Sequence, residues 1–183
     1  MPFLVKGIFI SGEFSDLWKV KRMDNIAVVV LKDVGLHRWP PFIKDRYYWL
    51  ALLAGVAAFL IVWLTVAPTF SVTGRSISEV ILAGIFYYPL LEEILFRGII
   101  QGGLSKKAWG KKTYLHLTIA NLLTSVLFTA AHIWYQPVLW ALMLIVPSMI
   151  FGFFRDRYGS IYPSIGLHMF YNAGFIFVNL AVQ

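Results

Sequence analysis

Six residues that are able to do acid–base or hydrogen-bonding chemistry lie within stretches that are otherwise apolar. They are Glu92, Glu93, Arg97, His132, His168 and Asn172. Charged side chains in apolar helices are costly unless they have polar partners or water, so we expect these groups to find one another. Hydrolysis needs a carboxylate that takes a proton from water and donors that stabilise an oxyanion. The set therefore has the composition of a hydrolytic site.

The two glutamates have different neighbours along the chain. Glu93 and Arg97 are four residues apart with the acid first, which predicts an ion pair on one helix face. Glu92 is rotated by about 100° from Glu93 on a helix, so it needs another partner. The structural alternative is that Glu93 and Arg97 only stabilise the helix and that Glu92 is a hydrogen-bonded packing residue.

Two further pairs lie one helical turn apart in other apolar stretches. Phe128 precedes His132 by four residues, and His168 precedes Asn172 by four residues. A single helical histidine is usually a packed residue, and the pair of His168 and Asn172 is also suited to hydrogen bonds between helices. The presence of such groups in three stretches of one small chain favours a shared site.

Other hydrolytic designs are less consistent with the sequence. There is no HExxH motif, and every Asp lies outside the apolar stretches, which excludes an aspartyl dyad. Ser164 and His168 are four residues apart, but a Ser–His dyad lacks a GxSG context here and leaves both glutamates unexplained. A different alternative is that Glu92, His132 and His168 bind a divalent metal such as zinc.

The elements that must position these residues are five apolar stretches of about 20 residues, the length of a membrane-spanning helix. We place them at Trp49–Phe70, Glu79–Leu104, Tyr114–Tyr135, Pro137–Phe154 and Ile161–Val182. The chain is 59% apolar and only 14% charged, too few charges for the surface of a soluble protein. We therefore predict an all-α fold, a polytopic membrane helix bundle of about five transmembrane helices.

The basic residues predict the orientation of this bundle. Eight Lys or Arg lie in residues 1–48, four in 102–113 and two in 155–160, whereas the alternate loops hold Arg75 alone. The positive-inside rule then predicts a cytoplasmic N-terminus and an outside C-terminus. Residues 1–48 are expected to form a cytoplasmic or interfacial segment, with 26–31 a short strand or interfacial helix, and 49–183 the transmembrane domain. Because the charge is divided among separate segments, we do not expect nucleic-acid binding.

Three motifs together are similar to those of a known family. EEILFR at 92–97, FTAAH at 128–132 and HMFYN at 168–172 resemble the EExxxR, FxxxH and HxxxN motifs of the CAAX protease and bacteriocin-processing family. Members carry these motifs in this order on separate membrane helices and are described as intramembrane glutamic endopeptidases. The resemblance covers roughly residues 76–177. Short prokaryotic members process proteins that bear a C-terminal membrane tail, which implies a multi-pass protein of a prokaryotic plasma membrane.

The resemblance also implies a role for each matched residue. Glu92 would be the general base that activates water with the help of His132, and His168 and Asn172 would hold the oxyanion. The supporting residues would be Glu93, Arg97 and Phe128. No cofactor is implied, and the partners would be the lipid bilayer and a membrane-associated protein or peptide substrate.

Two non-proteolytic functions remain as alternatives. Family members are associated with bacteriocin immunity, so one alternative is a non-enzymatic immunity or partner-binding membrane protein. A proton-coupled transporter would also use buried Glu and His, but the sequence has no internal repeat.

One geometric difficulty concerns the protease. If each span has full length and rises about 1.5 Å per residue, the depths of His132 and Glu92 in the membrane differ by on the order of 10 Å.

Overall fold

A computed structural model describes residues 26–65 and 76–181. Its helices are α1 (residues 26–34), α2 (Arg46–Thr65), α3 (residues 77–104), α4 (Ile119–Ile133), α5 (Val138–Met143), α6 (Ile145–Tyr158) and α7 (Tyr162–Ala181). A 3₁₀ turn at Phe42–Lys44 precedes α2. Strands β1 (Thr113–Tyr114) and β2 (Leu117–Thr118) form a small antiparallel hairpin before α4. The prediction of a mostly helical fold is confirmed, and residues 26–31 are helical.

Helix α3, which carries the glutamate pair, alternates between two kinds of helix. Its stretches Leu82–Tyr87 and Ile94–Gln101 are π-helical, and Tyr88–Glu93 between them is α-helical. The helix begins with a capping box, in which Ser76 Oγ accepts from the Glu79 amide and Glu79 Oε2 accepts from the Ser76 amide. Because π turns insert extra residues into a helix, they change which side chains share a face, and they are frequent at functional sites.

Three of the long helices, α4, α6 and α7, pack against α3. Helix α4 contacts α3 and α6, while α7 contacts α2, α3 and α6. The close approach of α4 and α6 depends on Gly152, since a methyl group there would collide with the side chain of Asn121. At one end of the bundle a cluster of buried apolar residues joins the start of α2 to α6 and α7. Its members are Phe42, Tyr48, Ala51, Phe151, Phe154 and Leu167.

Two helical segments in the described part of the chain are long and apolar enough to cross a membrane. They are Arg46–Leu64 and Val138–Tyr158, and the apolar helix Ile119–Ile133 is shorter. Helices α3 and α7, which carry the charged and amide side chains of the motifs, are not among these segments. The exposed surface includes many large apolar side chains, among them Leu64 at 82% and Leu139 at 73% exposure, as expected for a lipid-facing surface. The count of five spans stays a prediction.

The segment that follows α1 is attached to one end of the bundle. Gly35, at φ +85°, provides a left-handed turn that favours glycine, and its carbonyl accepts from the Ile161 amide at 3.2 Å. The Leu36 carbonyl accepts from the Tyr162 hydroxyl, and the Arg38 carbonyl accepts from Ser160 Oγ. These bonds join the chain before α2 to the connection between α6 and α7.

A second attachment at this end is made by Asp45, just before α2. Its Oδ2 accepts from Arg157 Nε at 2.6 Å and from the Tyr158 hydroxyl at 2.7 Å, and its Oδ1 accepts from the Tyr47 amide. Burial alone would raise the pKa of Asp45, but these hydrogen bonds and the Arg157 charge outweigh it, so the pKa lies below its ordinary value. The start of α2 is thereby held to the end of α6.

Candidate active site

The ion pair predicted within α3 is present and fully buried. Arg97 Nε lies 3.4 Å from Glu93 Oε2, and both side chains have 0% exposure. The guanidinium has two further partners, because Nη2 donates to Ser148 Oγ of α6 at 2.6 Å and Nη1 donates to Gln101 Oε1 at 3.5 Å. The buried charge of Arg97 is therefore surrounded by one carboxylate and two neutral acceptors.

The second carboxylate oxygen of Glu93 contacts α7. Glu93 Oε1 lies 2.9 Å from His168 Nδ1, within hydrogen-bond distance. Glu93 thus joins Arg97, on its own helix, to His168, which comes 75 residues later. A carboxylate at one ring nitrogen fixes the orientation of an imidazole and decides which nitrogen carries the proton.

Glu92 faces the two histidines instead of Arg97. Its Oε2 lies 3.7 Å from His168 Nε2 and 3.9 Å from His132 Nε2. Both distances exceed a direct hydrogen bond. The Glu92 side chain is 24% exposed, whereas Glu93 beside it is not exposed at all. One glutamate of the pair is therefore accessible at a site lined by two imidazoles.

The other ring nitrogen of each histidine is already engaged. His132 Nδ1 lies 2.8 Å from the Phe128 carbonyl, and since a carbonyl only accepts, this nitrogen carries a hydrogen. The Nδ1 of His168 is likewise directed at Glu93. A neutral His132 ring with its proton on Nδ1 presents an unprotonated Nε2, so this atom and the Glu92 carboxylate form a set of two acceptors. Such a set is able to receive protons from a water molecule.

Aromatic rings enclose this group on its buried sides. The Phe128 ring centroid lies 4.3 Å from that of His132 and 5.9 Å from that of His168, and Arg97 Cζ lies 5.6 Å from it. Phe151 of α6 stacks on His168 at 4.9 Å. These contacts restrict the rotation of both imidazoles and exclude water from their faces.

Asn172 is held against α3 at a different level. Its Nδ2 donates to the carbonyl of Gly84 at 2.8 Å, within the first π-helical stretch. The structure therefore gathers Glu92, Glu93, Arg97, Phe128, His132 and His168 through direct contacts, and it anchors Asn172 to the preceding turns of the same helix.

The expected difference in depth between Glu92 and His132 is not observed. Helix α4 contains 15 residues and follows a hairpin, so its length of about 22 Å is shorter than the roughly 30 Å of a full span. Counting from a full-length span therefore overestimated the separation, and the side chains lie 3.9 Å apart.

The structure also bears on the two chemical alternatives. Ser164 is fully buried and its Oγ donates to the Phe151 carbonyl at 2.8 Å, while His168 Nδ1 is engaged by Glu93, so the Ser–His dyad is not formed. Among residues 26–65 and 76–181, no group of three or more His, Cys, Asp or Glu side chains is arranged to hold a metal ion. The metal alternative thus gains no geometric support.

Sequence reasoning missed three residues that extend the site. Gln101 and Ser148 are fully buried and bind Arg97, and Asp156 accepts from Gln101 at 2.8 Å. Only Gln101 had a signal in the sequence, since it follows Arg97 by one helical turn. Ser148 belongs to another helix and is a small polar residue of a kind that apolar helices commonly contain.

Comparisons with known proteins identify the family of the chain. Residues 73–174 match the family described as Type II CAAX prenyl endopeptidase Rce1-like, and this is more than half of the chain. A 24.3 kDa uncharacterized protein of Escherichia coli is 35% identical over 99 residues, which cover 52% of this chain and 43% of that protein. The chain thus matches less than half the length of this relative. No solved structure matches.

The matched region contains all three motifs, from Glu92 to Asn172, and it includes the helices that bring them together. The chain belongs to the Rce1-like type II CAAX prenyl endopeptidases, a family of membrane-embedded proteases.

Proposed function

We propose that this chain is an intramembrane endopeptidase of the glutamic type, which cleaves a membrane-associated or C-terminally tailed protein with water activated by Glu92. The observation that carries the proposal is the position of Glu92 Oε2, 3.7 Å from His168 Nε2 and 3.9 Å from His132 Nε2. A partly exposed carboxylate with two imidazoles beside it is suited to accept a proton from water and to return it.

In the first step, Glu92 removes a proton from a water molecule that is also oriented by His132. The water oxygen forms a bond to the carbonyl carbon of the scissile peptide, and the carbonyl oxygen becomes an oxyanion. In the second step, Glu92 returns the proton to the peptide nitrogen, the C–N bond breaks, and an amine and a carboxylic acid are formed.

The oxyanion would be stabilised from α7. His168 donates from Nε2 when its ring carries protons on both nitrogens, and the Glu93 carboxylate then accepts from Nδ1 and holds the ring in place. Asn172 uses one hydrogen of its amide for the Gly84 carbonyl, which leaves the second for the oxyanion. The role of Glu93 in this mechanism is to hold His168, and the role of Arg97 is to balance the buried charge of Glu93.

The proposal includes the topology expected from the sequence. Five spans would place the N-terminus in the cytoplasm and the C-terminus outside, with residues 1–48 at the cytoplasmic surface. The attachment of Gly35 and Leu36 to the α6–α7 connection supports a surface segment that is joined to the bundle. Exposed apolar side chains along α2 support contact with lipid. The partner would be a substrate in the same membrane.

The test uses the purified chain in liposomes with internally quenched peptides ending in Cys-aliphatic-aliphatic-X, with and without farnesyl on the Cys. A tail-anchored protein co-reconstituted with the chain provides the second substrate class. We expect cleavage by the parent chain and a loss of about 10²- to 10³-fold in His168→Ala, in line with removal of an oxyanion donor. His116→Ala, in the hairpin, is the matched control and should cleave at the parent rate.

Mass spectrometry of the products identifies the cleaved bond, and the farnesylated and plain peptides distinguish a prenyl requirement from recognition of the tail alone. Addition of a chelator should leave the rate unchanged. Inhibition by the chelator that is reversed by zinc would contradict the glutamic mechanism. An unchanged rate in His168→Ala would contradict the proposed site.

A further inference from the structure

Gln101 is a buried amide that lies one helical turn beyond Arg97 on α3. Its side chain has no exposure, and it makes three hydrogen bonds. Its Oε1 accepts from Arg97 Nη1 at 3.5 Å, and its Nε2 donates to the Gly152 carbonyl at 2.9 Å and to Asp156 Oδ1 at 2.8 Å. The amide therefore links the buried arginine to helix α6, beside the direct bond from Arg97 to Ser148.

The orientation of this amide follows from the chemistry of its neighbours. A carbonyl oxygen and an ionised carboxylate only accept, so the Nε2 end of Gln101 must face Gly152 and Asp156. The Oε1 end must then face the guanidinium of Arg97, which only donates. Asp156 is itself held by Thr118, whose Oγ1 donates to Oδ2 at 2.6 Å. In the opposite orientation, the Nε2 donor would face the donors of Arg97, and the Oε1 acceptor would face the acceptors of Gly152 and Asp156.

Arg97 depends on this contact because its pairing with Glu93 is not an aligned hydrogen bond. Arg97 Nε and Glu93 Oε2 lie 3.4 Å apart, yet neither atom makes a hydrogen bond. A charge contact of this kind attracts the guanidinium without fixing its rotation. The hydrogen bonds that orient it come from Ser148 Oγ and Gln101 Oε1.

We propose that Gln101 is a positioning residue for hydrolysis, which orients Arg97 and, through Arg97 and Glu93, holds the His168 imidazole towards Glu92. Asp156 and Thr118 keep the Gln101 amide in the required orientation. This inference rests on the proposed function, because it assigns Gln101 to the same reaction.

The main experiment compares two buried amides that bind α6 in the same way. Asn121 of α4 is also fully buried, and its Nδ2 donates to the Met149 carbonyl at 3.0 Å. Gln101→Met and Asn121→Leu each replace an amide with an apolar side chain of similar size. Of these two amides, only that of Gln101 contacts Arg97.

Cleavage of the internally quenched peptide is measured in liposomes, and thermal unfolding is measured in detergent. For Gln101→Met we expect kcat to fall about 10- to 100-fold with KM within about 2-fold, since a small displacement of a catalytic group has a large effect on rate. For Asn121→Leu we expect kcat within about 3-fold of the parent at a similar loss of thermal stability. Equal losses of kcat in the two variants, or an unchanged kcat in Gln101→Met, would overturn the inference.

A second pair of variants decides the question if Gln101→Met does not fold. Asp156 is exposed at its end of α6, so its replacement is not expected to prevent folding. Asp156→Ala removes one of the two acceptors of Gln101 Nε2 and should lower kcat about 3- to 10-fold. Asp156→Asn keeps an acceptor oxygen and should restore most of the rate. Equal rates in Asp156→Ala and the parent would overturn the inference in that case. If Glu92→Gln loses cleavage and Gln101→Met cleaves at the normal rate, only the positioning role of Gln101 is refuted. If Glu92→Gln cleaves normally, the proposed function is refuted.

Discussion

His168 Nδ1 lies 2.9 Å from Glu93 Oε1, so a residue of α7 is fixed by a carboxylate of α3 that is itself closed to solvent. The other nitrogen of the same ring, Nε2, lies 3.7 Å from Glu92 Oε2. Two glutamates that are adjacent in sequence therefore face opposite nitrogens of one imidazole. One of them is buried and orients the ring, and the other is partly exposed and is able to meet substrate and water.

The first prediction concerns the Glu93 carboxylate. Glu93→Gln should lower kcat about 10³-fold with little change in KM, because an amide can donate to Nδ1 as well as accept from it and no longer fixes which ring nitrogen of His168 carries the proton. The variant should also lose about 3–5 kcal/mol of unfolding free energy, since Arg97 is left buried without its counter-charge. Cleavage in liposomes and denaturant unfolding in detergent measure the two effects.

A double variant separates these two effects. Glu93→Leu combined with Arg97→Met removes both buried charges and should recover most of the stability, because apolar replacements of buried ion pairs are often neutral. Cleavage should remain as low as in Glu93→Gln. Recovery of cleavage together with stability would show that Glu93 acts only as a structural partner of Arg97.

The second prediction concerns Asn172 and has a matched control in the same helix. Asn172 Nδ2 donates to the Gly84 carbonyl, and Asn179 Nδ2 donates to the Phe175 carbonyl, each at 2.8 Å. Asn172→Ala should lower kcat about 10²-fold through loss of an oxyanion donor, whereas Asn179→Ala should leave kcat unchanged. Each variant should lose about 1 kcal/mol of stability through its hydrogen bond. If both variants cleave at the parent rate, Asn172 is only a link between α7 and α3.

The third prediction is the pH dependence of the attachment between Asp45 and Arg157. The pKa of Asp45 is lower in the folded chain than its ordinary value of 3.8, so its ionised form stabilises the fold above that value. This contribution should be lost as the pH falls from about 4 through the lower pKa of the folded state. We expect Asp45→Asn to cost about 1–2 kcal/mol at pH 7 and progressively less below pH 4.

Unfolding of the parent and Asp45→Asn in detergent, compared at pH 7 and near pH 3, measures this dependence. A constant difference between the two proteins across that range would contradict it. Cleavage at pH 7 should be the same in both, because Asp45 contacts Arg157 and Tyr158 and no residue of the proposed site.

The parts of the site that sequence predicted are those that follow from helical spacing. The predicted Glu93–Arg97 contact is confirmed. These two residues, four apart, share a face of the helix, although the helix is π-helical beyond Glu93. The grouping of Glu92 with His132 and His168 was expected from the cost of isolated polar groups in apolar helices, together with the three motifs. The family assignment made from those motifs is confirmed by the match over residues 73–174.

Other features depend on contacts that have no local pattern. The depth of His132 depends on the length of α4, which the hairpin at Thr113–Thr118 shortens at its start. The hydrogen bonds of Gln101 and Ser148 join helices that are distant in sequence, and neutral polar residues within an apolar run do not reveal their partners. The attachment of Gly35 to the α6–α7 connection is made by backbone groups, so no side-chain pattern predicts it.

The most direct test of the account is the rate of the chemical step in Glu92→Gln. Glu79→Gln is the matched control, because Glu79 lies in the first turn of the same helix and its side chain, among the described residues, hydrogen-bonds only within the capping box. Under single-turnover conditions in liposomes, Glu92→Gln should cleave the peptide about 10³-fold more slowly than the parent, and Glu79→Gln should match the parent. Cleavage by folded Glu92→Gln at a rate close to that of the parent would contradict the account.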